Sequence, residues 1–263
     1  MKTLKKILAL VMVLAMVLCF AGCGAKKDDK VLKIATNAEF EPFESLDADG
    51  NYVGFDIDLI NAIAEKIGYT VEFDNMEFEA VLAAVSSGSC DIGLSGLTVN
   101  AKRAKSVDFS KAYYSTAQLL IVAADDTYFT GTTKEELDKQ LEGKTIGVCS
   151  GYTGQSYVEG NADWEFPGIK DAKAKIYENL SLAVTDLKNG NFDAIVMDGP
   201  VAKEAVAQNA SVAKVIDVPL TVEDYGIAIQ KGNTDLKEKI DKALDELIES
   251  GEVQKLYDKY DLK

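Results

Sequence analysis

From residue 31 onward the apolar positions alternate between two patterns, short runs that are continuous or spaced by two and longer runs spaced near 3.6. Residues 31–36 read as a strand. Residues 56–67 place Ile57, Ile60, Ile63, Ala64 and Ile67 on one helical face, and Gly68 stops the helix. A strand at 70–73, a helix at 78–87 ending at Gly88 and a strand at 91–94 complete a βαβαβ unit. A long apolar strand at 118–124 leads away from it, and a helix at 133–141 opens with a Thr-x-x-Glu capping box from Thr133 to Glu136. A second unit has strands at 145–148, 173–177, 194–197 and 214–216, with helices from 153, at 181–187 and at 200–207. Residues 225–230 read as a second crossing strand, and amphipathic helices at 235–250 and 252–260 close the chain. The pattern predicts an α/β protein with two cores, as its length also suits.

Two stretches about a hundred residues apart share a frame: Val85-Ser-Ser-Gly88-Ser-Cys-Asp91-Ile-Gly-Leu-Ser95-Gly96 and Leu187-Lys-Asn-Gly190-Asn-Phe-Asp193-Ala-Ile-Val-Met-Asp198-Gly199. Each is a helix end, a glycine stop, a short connection to an aspartate, an apolar strand and a loop. The first leads through Thr98 to Arg103, whereas the second delivers Asp198. Ligands in α/β folds bind at the carboxyl ends of such strands. If the copies face each other, a guanidinium on one wall and a carboxylate on the other complement a zwitterion such as an α-amino acid.

The amino terminus concerns location. Lys2, Lys5 and Lys6 precede an apolar run at 7–21, the length of a signal-peptide core and short of the roughly 20 residues that span a bilayer. Residues 1–22 are therefore expected to be a signal peptide. The small residues before Cys23 resemble the bacterial lipobox, whose cysteine is lipidated and becomes the mature first residue, although Phe20 stands where leucine is usual. A plain secretory signal cut near Ala21 or Gly22 is the alternative. Residues 23–30 would then be the lipidated cysteine and a polar tether.

Charge and missing residue types narrow the chemistry. Beyond residue 22 the chain holds 25 basic and 43 acidic residues, which argues against nucleic acid as a partner. There is no histidine, so no Ser-His-Asp or Cys-His catalytic set and no imidazole metal site can form. Neither a catalytic residue, a cofactor nor a metal is expected. Of the four cysteines, Cys19 and Cys23 fall in the leader, and Cys90 and Cys149 make no disulfide framework.

The run Phe40-Glu-Pro42-Phe43, then Gly54-Phe55-Asp56-Ile57-Asp58, Ser95-Gly96-Leu97-Thr98 with Arg103, and Asp108-Phe109-Ser110 before Tyr113-Tyr114 resembles the polar amino-acid binding proteins of ABC importers, the family 3 extracellular solute-binding proteins. The resemblance covers the chain from about residue 31 to its end. It implies the type II periplasmic-binding fold, two α/β lobes joined by a two-strand hinge, with 31–116 plus 221–263 as lobe one and 117–220 as lobe two. Arg103 matches the arginine that takes the ligand α-carboxylate, a task suited to its bidentate fork. Thr98, with Ser95 and Gly96, matches positions holding the same head group, and Thr153 at a helix start matches a carboxylate contact from lobe two. Asp198 matches the acid that receives the ligand ammonium.

Phe40 and Phe78 match the aromatics that flank the ligand side chain. Asn37 stands where many relatives carry aspartate, and Glu39 either restores a negative charge near the side chain or is an exposed loop acid. A polar ligand follows, with cationic side chains slightly preferred. The resemblance also implies a monomer outside the cytoplasm, held to the membrane by lipid and serving an ABC permease. An exported dehydratase of cyclohexadienyl acids on the same fold, or a ligand sensor, are the rival readings.

Overall fold

The computed structural model describes residues 31–262, so the leader, Cys23 and the tether lie outside the described residues. Strand β1 (Val31–Thr36) is followed by the short β2 (Glu39–Phe40), β3 (Glu44–Leu46) and β4 (Tyr52–Val53), which form a small antiparallel sheet. Next come α1 (Phe55–Ile67), β5 (Thr70–Asn75), α2 (Phe78–Ser87), β6 (Ile92–Gly93), β7 (Val107–Phe109) and β8 (Tyr114–Thr116). Then follow β9 (Gln118–Ala123), α3 (Lys134–Leu141), β10 (Thr145–Cys149), α4 (Thr153–Glu159), β11 (Lys173–Tyr177) and α5 (Leu180–Lys188). The remaining elements are β12 (Ala194–Asp198), α6 (Gly199–Gln208), β13 (Ala213–Ile216), β14 (Glu223–Tyr225), β15 (Ala228–Gln230), α7 (Thr234–Glu249) and α8 (Glu252–Lys259).

Each of two α/β lobes is built on a five-stranded sheet, of order β5-β1-β6-β15-β7 in the first and β11-β10-β12-β9-β13 in the second. Helix α1 forms where the 3.6-spaced stripe predicts it, burying Ile57, Ile60 and Ile63, and it ends on Gly68 in the left-handed conformation. The two copies of the repeated frame fold alike. In the first, Asp91 accepts from the Lys33 amide at 2.9 Å and its own amide donates back to the Lys33 carbonyl; in the second, Asp193 does the same with Thr145, its carboxylate at 2.8 Å. Each aspartate thus locks its strand beside a parallel neighbour, β6 beside β1 and β12 beside β10.

The crossings differ from the predicted pattern. Residues 118–123 lie wholly in the second sheet, and the passage between lobes is β8 paired antiparallel with β14, Tyr114 opposite Tyr225. The predicted strand at 225–230 is divided, with β14 in this hinge pair and β15 in the first sheet. The break falls at Gly226, whose amide donates to Leu97, and Ile227, whose amide donates to the Ser110 hydroxyl. Those bonds leave both ladders, so continuous apolar character hides the change of partner.

Candidate functional site

The repeated frame brings two loops together between the lobes. Phe40, Phe78, Gly96, Thr98, Arg103, Tyr152, Thr153 and Asp198 line a small cavity of about 10 Å³ that these side chains nearly fill. Seven of these eight are candidates from the sequence. Gly96 has φ +51°, and a Cβ there would lie 2.3 Å from Phe40 Cε1, so only glycine lets the ring rest on this turn. Asn37 and Ser95 stand behind the wall. The Ser95 hydroxyl accepts from the Asn37 amide and donates to Glu44, while the Asn37 side chain donates to the Met76 carbonyl. Exposed Glu39 lines a separate groove.

Arg103 is 7% exposed. Its Nη1 donates to the Thr98 carbonyl at 3.0 Å, and its Nη2 reaches across to the Gly151 carbonyl at 3.3 Å. Burial lowers its pKa to about 10, against the pull of Glu223 and Asp198. Asp198, at the end of β12 and 3% exposed, accepts a 2.5 Å hydrogen bond from the Tyr225 hydroxyl. Burial first, and the charge of Glu223 second, push Asp198 up to about 7. A cationic group placed beside it would bring that carboxyl back into its charged form.

The lobes meet across this cavity. The Thr98 and Thr153 hydroxyls lie 3.1 Å apart, and Tyr152 inserts from the second lobe between Phe40 and Phe78, at ring-centroid distances of 5.5 and 4.4 Å. The Tyr152 hydroxyl donates to Asn37 Oδ1 at 3.2 Å. These contacts define a closed arrangement.

Several participants escaped the sequence reading. Thr98 donates to Glu223 at 2.8 Å, and Gln118 and Thr221 donate to the other oxygen of that carboxylate. Glu223 and Tyr225 share the inner face of β14, and nothing in the local pattern singles the acid out. Tyr152 and Trp164 lie outside any periodic stripe. Beneath Gly96, Glu44 and Asp56 are fully buried neighbours, with Glu44 accepting from the Ser95 hydroxyl and Asp56 from the Gly96 amide and the Tyr113 hydroxyl. Burial raises both carboxyls, Asp56 to about 6. Among the described residues no cluster suited to a metal occurs and no helix is long and apolar enough to cross a membrane.

Fold and cavity together define a two-lobed binding protein of the type II periplasmic-binding fold. Residues 32–263 match the bacterial extracellular solute-binding proteins, family 3. A "Probable histidine-binding protein" of Neisseria gonorrhoeae is 34% identical, over 92% of this chain and 91% of its own. Two solved structures are similar throughout: an ancestral arginine-binding protein bound to arginine (39% identity, TM-score 0.77, 88% of this chain and 98% of that one) and one bound to glutamine (38%, 0.77, 89% and 99%). The chain belongs to the family 3 extracellular solute-binding proteins of bacteria.

Proposed function

We propose that the protein captures a free α-amino acid between its lobes and delivers it to an ABC permease. The carrying observation is that Arg103 and Asp198, from opposite copies of the repeated frame, are both buried and line one closed interlobe cavity. Arg103 takes the α-carboxylate with support from Thr98 and Thr153, and Asp198 takes the ammonium. Phe40, Phe78 and Tyr152 flank the side chain. A polar ligand is favoured, with cationic side chains slightly preferred, a choice that relatives named for histidine and arginine support.

Ligand first docks on lobe one, 31–116 plus 221–263, and lobe two, 117–220, closes over it. The closed pair of lobes is what the permease reads. The protein acts without transforming its ligand, as a monomer exported by its signal peptide and held outside the cytoplasm by lipid on Cys23. A melting panel against the standard amino acids tests the central reading. A true ligand at 100 times its Kd adds about 2.7 kcal/mol, several degrees for a chain of this size. Unchanged melting with every amino acid would contradict it.

A further inference from the structure

Arg103 is met from the second lobe by more than the Gly151 carbonyl. The guanidinium carbon lies 5.4 Å from the ring centroid of Phe78, on its own lobe, and 5.0 Å from that of Trp164. Trp164 ends a short 3-10 turn, Ala162–Trp164, capped by the Asn161 side chain on the Asp163 amide. The turn is anchored to its own lobe by the paired amides and carbonyls of Asn161 and Phe166, and Phe166 packs on Tyr157. On the facing lobe, Arg103 begins another 3-10 turn, Arg103–Lys105. Beside the indole, Lys105 and Asp163 form an exposed ion pair at 3.0 Å. Two turns from opposite lobes therefore dock on one another, with the guanidinium sandwiched at the centre.

We propose that Trp164 is a positioning residue that closes the outer face of Arg103 only when the lobes come together, so that the orientation of the arginine couples ligand capture to closure. The inference rests on the reading of Arg103 as the carboxylate receptor. A ligand carboxylate bound edge-on fixes the plane of the guanidinium, and that plane presents a flat face to the indole. The indole in turn removes water from the face and strengthens the hydrogen bonds at the edge. Opening separates the turns and returns both groups to solvent. Thr98, Thr153 and Asp198 hold the ligand, whereas Trp164 acts through Arg103.

Trp164 is the only tryptophan in the chain, so its emission reports this contact without labelling. Each of the 20 standard amino acids is titrated by calorimetry, and acrylamide quenching of the indole is measured in parallel. The expected result is that every amino acid that binds calorimetrically lowers the quenching. Trp164→Ala should weaken binding about tenfold or more, mainly through faster release, while Trp164→Phe recovers most of the affinity. Melting of each ligand-free variant verifies that it is folded. Saturable binding with unchanged quenching, or wild-type affinity in a folded Trp164→Ala protein, would overturn the proposal and leave the clamp intact. Absence of heat with all 20 would overturn the amino-acid reading and this inference with it.

Discussion

The two lobes solve the same structural problem identically and then diverge. Asp91 and Asp193 close equivalent pairs of hydrogen bonds onto Lys33 and Thr145 of the neighbouring strands, so the strand after each aspartate starts in the same register beside its parallel neighbour. The loop beyond the strand is where chemistry enters. In the first lobe it turns through Gly96 and Thr98 into Arg103, backed by the Glu44 and Asp56 pair; in the second it stops at once on Asp198 and a helix. Shared scaffold with opposite terminal charge teaches that register and function are separable within one motif.

That separation can be broken at its charged ends. Arg103→Ala and Asp198→Ala should each weaken amino-acid binding by roughly 2–5 kcal/mol, because each leaves a buried partner charge uncompensated. Titration calorimetry measures it, and retained affinity in either variant would end the comparison. A pH series gives the next largest effect. Asp198 at about 7 and Asp56 at about 6 bind protons in the folded chain that the unfolded chain has released. Stability of the ligand-free protein should therefore fall as pH rises from about 4 to 7. Affinity should rise over the same window, since the ligand ammonium requires ionised Asp198. Asp198→Asn should remove its share of the stability slope and leave that of Asp56, as melting curves at several pH values would reveal.

Smaller effects sharpen the other half of the comparison. Asp91→Asn and Asp193→Asn should each cost about 1 kcal/mol and lower the melting temperature by about 2–4 °C, with affinity unchanged. A change in affinity in only one would show that the copies are not mechanically equivalent. The smallest effect belongs to Lys105→Ala, which removes an exposed ion pair and should alter affinity by about twofold or less.

Much of this architecture was legible because it rests on local signals. The αL stops at Gly68 and Gly88, the stripe on α1 and the cap at Thr133 depend on residues close in sequence. Arg103 and Asp198 were reachable through the repeat, which placed Asp198 at a strand end and Arg103 beyond the loop that follows one. Asn37, reached by matching position, stands one layer behind the cavity with its side chain bonded to Met76 and to the lining residue Tyr152. Trp164 and Glu223 were not legible: one sits on an aperiodic turn, and the other owes its role to partners more than a hundred residues away. Contacts made across a cleft leave little trace in periodicity.

The hinge pair β8 and β14 also carries part of the site. Glu223 and Tyr225 face inward from the strand about which the lobes turn, one holding Thr98 and the other Asp198. Groups beside an axle sweep short arcs, and groups out at the rim sweep long ones. The acidic end of the cavity is thus tied to the hinge, whereas Tyr152 and Trp164 are carried by the second lobe. In the proposed closure, a molecule docked on lobe one is met by a moving second lobe whose Asp198 is steadied at the axle, which turns a rotation of whole lobes into a grip applied from one end.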